Sequence, residues 1–458
     1  MHNRQKTFLK DSKVKTADLV HRKKINFTLR QSEDAFKNGK KQFSDLESVR
    51  KKAKNIKWEA IEHLDKYLEM FEANFIKNGG KVIWAENTHQ ALDAILKICQ
   101  GKQAKTIVKS KSMVTEEIHL NDFLTRHDIE IVETDLGEYI QQLDGEPPYH
   151  IVSPAMHKSK EDVAHLFHEK LKVSPNLTPE QLTLVTRQKL RQKFRDAEIG
   201  ITGANFILAD IGGIAITENE GNAWLSGSFP KTHIAITGIE KVLPSVHDLG
   251  LFWPLLATHG SGQHITVYNS IFTGPKKENE TDGPEEMYMI LLDNGRTNIL
   301  ADKTSRESLY CIRCGACLNV CPVYQNIGGH TYKATYSGPI GSVITPYLNG
   351  IDEYKHLSHA SSLCGSCTEV CPVRINLHEL LLHNRRKAVT GKYTSRSEQL
   401  AWYAWKKASM NRQIMDGVGG DTKNFVFQKI FKRAWGADRT LPVFSPKSFN
   451  QLWKERKN

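Results

Sequence analysis

Seven of the eight cysteines in this 458-residue chain lie between positions 311 and 371, and this crowding constrains the fold more than any other feature. The first run reads CIRCGACLNVCP and starts at Cys311, and the second reads CGSCTEVCP and starts at Cys364. The first run has the C-x2-C-x2-C-x3-C-P spacing of bacterial ferredoxins, whose thiolates bind iron–sulfur clusters. The second run repeats the last three cysteines of the first, with the same following proline. The pattern therefore predicts two clusters.

The spacing also predicts which cysteines share a cluster. In two-cluster ferredoxins the last cysteine of a run binds the cluster of the other run. This rule defines a first cysteine set, Cys311, Cys314, Cys317 and Cys371, and a second cysteine set, Cys321, Cys364 and Cys367. The second set is one ligand short because Ser361 occupies the position where a full repeat has cysteine. Its fourth iron can be bound by Ser361 or by water, or be missing from a three-iron cluster.

Other uses of cysteine fit this pattern less well. Structural zinc sites use paired C-x2-C units but need only four ligands, and the two runs together supply seven cysteines. Disulfide frameworks are typical of short secreted chains, and this chain is long and unevenly loaded with cysteine. The remaining cysteine, Cys99, falls on the apolar face of a predicted helix, which indicates a buried structural residue.

Residues from about 80 to 300 alternate between strand and helix patterns, which predicts an α/β domain with a largely parallel sheet. Thr178 followed by Pro179 indicates a helix start. The predicted strands are Val82–Ala85, Thr106–Val108, Ile129–Thr134, Tyr149–Val152, Phe206–Ala209, Ile214–Thr217, His233–Thr237, His264–Tyr268 and Met287–Leu292.

Four segments are expected along the chain. They are a helical basic segment at 1–75, an α/β domain at 76–300, a helical ferredoxin domain with two clusters at 301–389, and a basic segment with tryptophans at 390–458. In the first segment, helical spacing places five apolar residues on one side: Trp58, Ile61, Leu64, Leu68 and Phe71. This face indicates either a packing helix or an arm that docks a partner.

Composition and net charge limit the cellular compartments and the binding partners that this chain can have. The amino-terminal residues are polar and basic, without the apolar stretch of a signal peptide. The longest apolar stretch, 249–257, is far shorter than the roughly 20 residues that span a bilayer. No membrane span and a cytoplasmic location are therefore expected. The net charge is +12, but no nucleic-acid motif is visible, so a solvated basic face or a docking surface for an acidic partner is favoured.

Polar residues near predicted strand ends are candidates for a second site. Glu218 and Asn222 follow a glycine-rich pair of strands, and ligands of open α/β sheets bind beyond the carboxyl ends of strands. A hairpin with a polar turn would explain the same residues. Further polar residues would together suit an anionic ligand such as a carboxylate; they are Lys109 to Met113, His157, Lys158, Lys231, His233 and Lys241. No dinucleotide or P-loop fingerprint is present.

Five stretches resemble a known family. They read LYCIRCGACLNVCPVY, YSGPIGSVITP, LCGSCTEVCPV, KSKSMVTEEIHLND and GITGANFILADIGGIAITENEGN. They are similar to the iron–sulfur subunits of bacterial lactate utilization, the lactate utilization protein B family. The resemblance covers nearly the whole chain, including a tryptophan-rich tail.

The resemblance implies both a fold and a role. It implies an α/β domain related to sugar-isomerase and coenzyme A-transferase folds, followed by a helical ferredoxin unit like that of succinate dehydrogenase iron–sulfur subunits. It implies two [4Fe–4S] clusters bound by the first and second cysteine sets. It also implies electron transport during oxidation of L-lactate to pyruvate, alongside two companion proteins and with an unidentified acceptor.

Three functional hypotheses follow. The first is an electron-transfer subunit rather than a stand-alone catalyst, since no flavin or nicotinamide motif is visible and hydride removal needs another site or subunit. The second is an enzyme acting on acyl or sugar substrates through the α/β domain, with Glu218 as a working carboxylate. The third is an assembly scaffold whose clusters are structural or sense oxidation.

Overall fold

The protein is described by a computed structural model that covers residues 3–436 and 439–457. The chain divides into two compact units, Met1–Lys387 and Ala388–Asn458. All eight cysteines belong to the first unit. Within the described ranges, no helix is long and apolar enough to cross a membrane.

Four helices precede the first strand. They are α1 (Asn3–Ala17), α2 (Leu19–Gly39), α3 (Leu46–Glu62) and α4 (Leu64–Lys77). The carboxylates of Asp18 and Asp45 begin α2 and α3, because each accepts a hydrogen bond from the backbone N–H three residues later. Apolar residues of these helices join the main core, among them Ile25, Ile61 and Phe71, all buried.

Of the five apolar residues predicted to share one side, Trp58 is 50% exposed. The other four are buried, as in a packing helix: Ile61, Leu64, Leu68 and Phe71. The buried face of α3 runs through Ala53, Lys57 and Ala60. The ammonium of Lys57 donates hydrogen bonds to the carbonyl oxygens of Glu240 at 2.6 Å and Val242 at 3.2 Å. Because these bonds let a lysine face the core, the adjacent Trp58 turns toward solvent.

The α/β region contains ten strands. They are β1 (Lys81–Ala85), β2 (Thr106–Lys109), β3 (Glu130–Glu133), β4 (Ile199–Thr202), β5 (Phe206–Leu208), β6 (Gly213–Glu218), β7 (Thr232–Gly238), β8 (Val242–Leu243), β9 (Tyr268–Phe272) and β10 (Glu286–Leu292). Six of them form one sheet in the order β1-β10-β7-β4-β2-β3, with every pairing parallel. The prediction of a largely parallel sheet is confirmed.

Eight helices accompany these strands. They are α5 (Thr88–Gly101), α6 (Met113–Glu117), α7 (Leu120–Thr125), α8 (Leu136–Asp144), α9 (Lys160–Leu171), α10 (Pro179–Asp196), α11 (Asn222–Ser228) and α12 (Leu249–Ser261). Helix α10 starts at the predicted position, where Thr178 and Gln181 cap each other. Helices α5, α6 and α7 pack on one face of the large sheet, and Cys99 is fully buried there, as predicted.

The four remaining strands form a second sheet in the order β8-β5-β6-β9. The predicted pair of strands joined by a glycine turn is confirmed, since β5 and β6 are antiparallel and Gly212 has a φ of 59°. Strand β9 starts at Tyr268, where the predicted strand ends.

The predicted strand Tyr149–Val152 does not form. The backbone N–H of Tyr149 donates to the carbonyl of Pro154 at 2.9 Å, and Nδ1 of His150 accepts from the backbone N–H of Val152 at 3.1 Å and of Ser153 at 3.2 Å. These local bonds use up the groups that a sheet would need, so the segment closes into a loop.

Residues 296–390 form short helices around the cysteine runs. They are α13 (Arg296–Ala301), α14 (Ala316–Asn319), α15 (Tyr324–Ile327), α16 (Gly338–Leu348), α17 (Ile351–Tyr354), α18 (Ser366–Glu369) and α19 (Leu377–Thr390). No strand forms between residues 301 and 387, a range described throughout.

The second unit is helical and basic. Its helices are α20 (Arg396–Met410), α21 (Arg412–Gly417), α22 (Gly420–Val426), α23 (Lys432–Trp435) and α24 (Phe449–Lys457), with a π-helical turn at Phe427–Phe431. All four of its tryptophans are exposed: Trp402, Trp405, Trp435 and Trp453.

Candidate metal centre and adjoining cavity

The two cysteine runs fold into the same local structure. Gly315 and Gly365 adopt nearly equal left-handed conformations, with φ and ψ of 80° and −11° in the first and 86° and −14° in the second. A one-turn helix follows each glycine, α14 and α18 respectively. The carbonyl of Gly315 accepts from the Leu318 N–H at 2.9 Å, and that of Gly365 accepts from the Thr368 N–H at 2.8 Å. The sequence repeat is thus a structural repeat.

The four thiols of the first cysteine set lie close enough together to interact electrostatically. Burial raises the pKa of the Cys314 thiol, and the thiols of Cys371 and Cys311 raise it further. Burial likewise raises the pKa of Cys317, with Cys311, Cys314 and Cys371 adding to the effect. The pKa of Cys371 is raised to about 12 by burial, and Cys311 contributes. The second run therefore brings Cys371 to the three cysteines of the first run.

The other three thiols form a separate neighbourhood. Burial raises the pKa of Cys367 to about 11, and Cys321 and Cys364 raise it further. Burial also raises the pKa of Cys321, with a contribution from Cys364. Cys364 differs from the rest because it is exposed, and hydrogen bonds centred on Ser366 lower the pKa of its thiol.

The environment of the first cysteine set fits an iron–sulfur cluster. Thiols this deeply buried lose their protons only when a cation replaces them, because burial disfavours a free thiolate. The backbone N–H of Arg313 lies 3.4 Å from Sγ of Cys311, and that of Ile375 lies 3.3 Å from Sγ of Cys371. Such N–H donors stabilise cluster sulfurs and help to set the reduction potential.

Arg50 holds the second run in place, and Ser361 occupies the position where a full repeat has a cysteine. Arg50 of α3 donates to the carbonyl oxygen of Cys371 through Nε at 3.0 Å and Nη2 at 2.8 Å. Ser361 lies three residues before Cys364, and its hydroxyl oxygen accepts a hydrogen bond from the N–H of Leu363 at 3.1 Å. The hydroxyl is therefore held by its own backbone in this structure.

Alanine at Gly315 is expected to lower bound iron and thermal stability more than alanine at Gly365. The left-handed conformation costs an L-residue about 1–2 kcal/mol at either position. A Cβ at Gly315 would also lie 3.0 Å from Cε1 of His150 and from Cγ2 of Val152, whereas nothing lies within 4 Å at Gly365. Iron and sulfide content and thermal unfolding of the two variants measure the difference. Equal losses would contradict this packing role of Gly315.

A cavity of about 290 Å³ opens beside the first cysteine set. Ser110 and Lys111, which follow β2, and Gly203, which follows β4, line one part of it. Arg313 and Cys314 of the first run form another part. The cavity therefore lies at the carboxyl ends of the parallel strands, where α/β sheets bind ligands, and it adjoins the candidate metal centre.

Both sequence candidates, Glu218 and Asn222, line this cavity. The carboxylate of Glu218 accepts hydrogen bonds from the backbone N–H groups of Ala223 and Trp224, each at 2.7 Å, so it caps the first turn of α11. Burial raises the pKa of Glu218, and these N–H groups oppose the rise. The side-chain amide of Asn222 lies between Glu218, at 2.8 Å, and the hydroxyl of Thr134, at 3.2 Å.

Only part of the predicted anion-binding group reaches the cavity. Within 109–113 the cavity is lined by residues 110–113, and Lys241 also lines it. Lys109 is buried against Glu133, with Nζ 2.7 Å from its carboxylate. His233 is buried in the sheet and bonded to Thr202 at 2.7 Å.

The other predicted anion-binding residues are placed elsewhere. His157 and Lys158 both bind the carboxylate of Glu146, at 3.1 and 3.0 Å. Lys231 is on the surface, with its side chain 81% exposed and 3.4 Å from Glu285.

An ionic network that sequence reasoning missed adjoins the cavity, because three of its members, Glu240, Arg313 and Tyr336, also line the cavity. Arg296 pairs with both carboxylate oxygens of Glu117 at 2.9 Å, and its Nε lies 2.6 Å from Glu240. Tyr336 donates to Glu117 at 2.7 Å, and Nη2 of Arg313 lies 3.3 Å from Glu240. The network joins the α/β region to the first cysteine run. No spacing pattern links these five positions, so the sequence carried no signal for them.

A parallel-sheet α/β domain followed by paired cysteine runs defines an iron–sulfur protein of the dicluster ferredoxin class. The LUD domain family matches residues 68–292, and the 4Fe-4S dicluster domain family matches residues 307–375. The chain belongs to the lactate utilization protein B family, as its relatives show.

Three relatives illustrate the match. Lactate utilization protein B of Bacillus velezensis is 46% identical over 91% of this chain and 90% of its own length. The protein of that name from Bacillus subtilis is 46% identical over 76% of this chain and 73% of its own. An uncharacterized electron transport protein of Escherichia coli, YkgF, is 44% identical over 89% and 88%.

One solved structure was also matched. It is a DUF162 family protein from Deinococcus radiodurans, 12% identical, with a TM-score of 0.29 over 50% of this chain and 98% of its own. At that score it carries no argument about the fold.

Proposed function

We propose that this chain is an iron–sulfur electron-transfer protein that acts in the oxidation of L-lactate to pyruvate. The observation that carries the proposal is the pair of cysteine runs with matching backbone geometry, which together contain seven cysteines. The names of the relatives, which refer to lactate utilization and electron transport, support this role. Two companion lactate-utilization proteins and an electron acceptor still to be identified complete the proposed system.

The proposed cofactors are two [4Fe–4S] clusters. The first cysteine set would hold one through four thiolates, and the electrostatic coupling of these thiols supports the assignment. The second cysteine set would hold the other through three, with Ser361, water or a three-iron cluster accounting for the fourth position. Bound clusters of this type supply reversible one-electron transfer.

The rest of the chain bears on which subunit removes hydride from lactate. The sequence has no dinucleotide fingerprint, so hydride removal from lactate is assigned to another subunit. The α/β domain is proposed to be related to sugar-isomerase and coenzyme A-transferase folds, and the six-stranded parallel sheet supports that relation.

The test is electron paramagnetic resonance of the anaerobically purified complex before and after L-lactate is added. L-lactate is expected to produce the signal of reduced iron–sulfur protein, because electrons from its oxidation would enter this chain. Acetate is the matched control, since it carries the same charge but has no oxidisable hydroxyl group.

Two results would count against the proposal. Reduction by dithionite but not by L-lactate would remove the role in lactate oxidation and leave a protein that transfers electrons in another reaction. Anaerobically purified protein that contains zinc, and no iron or sulfide, would remove the electron-transfer role altogether.

A further inference from the structure

We propose that the cavity beside the first cysteine set binds a small monocarboxylate, with Lys241 and Arg313 pairing with its carboxylate group. This proposal rests on the proposed function, because a chain that works in lactate oxidation meets such anions. It adds a binding site within this chain, whereas the electron-transfer role needs only the cysteine sets.

Lys241 is the first reason for an anionic ligand. Its side chain is buried, and the residue is 6% exposed. Among the described residues, no hydrogen bond or ion pair reaches its Nζ atom, although the residue lines the cavity. Burial and the neighbouring Arg313 charge lower the pKa of Lys241, and Glu240 and Cys311 oppose this change. A buried, unpaired ammonium is costly until an anion compensates it.

Arg313 is the second reason, and it is pre-positioned. Its Nη2 atom lies 3.3 Å from Glu240, and its guanidinium lies 4.6 Å from the centre of the Tyr336 ring. Its Nη1 atom is buried and has no hydrogen-bond partner among the described residues. A guanidinium held at one edge with donors free at another suits a carboxylate oxygen.

Of the acidic residues that line the cavity, all of them described, only Glu240 lies within ion-pair distance of either cation: it is 3.3 Å from Nη2 of Arg313 and also pairs with Arg296. Asp135 accepts from the N–H of Glu138, Glu218 from that of Ala223, Glu220 from that of Leu136, and Glu240 from Arg296. Lys111 is engaged as well, because it donates to the carbonyl of Val152 at 2.9 Å and lies 3.6 Å from the carboxylate of Asp135. Lys241 and the Nη1 atom of Arg313 are therefore the cationic groups of the lining that no carboxylate of the described residues pairs with.

Size and position select the class of anion. A volume of about 290 Å³ is at the small end of the range for ligand sites, so the cavity suits a metabolite of a few heavy atoms and not a flavin. Cys314 lies in the same wall as Arg313. A monocarboxylate bound there would sit against the first cysteine set.

Isothermal titration calorimetry on the anaerobic full-length protein tests this site. L-lactate is the probe, and lactamide, its neutral analogue, is the matched ligand control. Lys241→Met removes the unpaired ammonium with little change in length, and Lys231→Met removes an exposed ammonium outside the cavity. L-lactate is expected to bind the wild type and Lys231→Met equally and Lys241→Met at least about tenfold more weakly, while lactamide does not bind measurably.

Several results would overturn the site. Equal binding of L-lactate and lactamide would do so, as would unchanged affinity in Lys241→Met with normal iron content. If Lys241→Met loses iron, the wild type decides whether the site exists: binding of L-lactate but not of lactamide supports it, and equal binding overturns it. A wild type that fails to bind L-lactate, yet is reduced by it within the complex, overturns the site and leaves the electron-transfer role standing. A wild type that binds L-lactate, yet is not reduced by it within the complex, supports the site and not the role in lactate oxidation.

Discussion

Replacing Cys371 by serine is expected to remove about half of the bound iron, namely the four irons of one cubane cluster. The variant should lose the same paramagnetic signal as Cys314→Ser and keep the signal that Cys367→Ser loses. The reason is that Cys371, although it belongs to the second run, acts on the thiols of Cys314 and Cys311. Iron and sulfide analysis with spectra of the dithionite-reduced variants measures this result.

The matched control is Cys99→Ala. Cys99 is the one cysteine outside both sets and is fully buried against the large sheet, so its loss should leave the iron content unchanged. If Cys371→Ser instead shares its lost signal with Cys364→Ser, each run binds its own cluster and the crossed assignment is wrong.

Replacing Arg296 by methionine is expected to destabilise the first unit by about 3–5 kcal/mol, because removing one partner of a buried ion pair leaves the others uncompensated. The side chain is almost fully buried, and it satisfies both Glu117 and Glu240. Methionine fills much of the space but neutralises neither carboxylate. Chemical denaturation of the anaerobic protein, followed by circular dichroism, measures the loss.

Lys37→Met is the control for Arg296→Met. It removes an exposed cation that pairs with Glu33 at 2.9 Å on the surface of α2, and its unfolding midpoint should match the wild type. An Arg296→Met midpoint equal to that of the control would show that the two carboxylates gain no stability from the network.

The parts of the site that the sequence predicted depend on local spacing. The cysteine runs, the capped start of α10 and the antiparallel pair β5 and β6 are each specified by residues a few positions apart. The ionic network around Arg296 depends on residues far apart in sequence that meet only after the sheet and the cysteine region have packed. Nothing in the local pattern distinguishes Glu117 or Glu240 from a surface glutamate.

The errors also have local physical causes. Tyr149–Val152 has the apolar content of a strand, but a histidine side chain takes the backbone N–H groups that pairing needs. Trp58 was expected to share one side with Ile61, but Lys57 occupies the buried face of α3 by hydrogen bonding to two carbonyl groups. In both cases polar bonding overrode an apolar pattern.

The two cysteine sets are sheltered unequally. Cys314, Cys317 and Cys371 are buried, whereas Cys364 is open to solvent. Dissolved dioxygen and peroxide therefore reach Cys364 first. Oxidation of the cysteines in air would begin at Cys364 and would reach the buried thiols later.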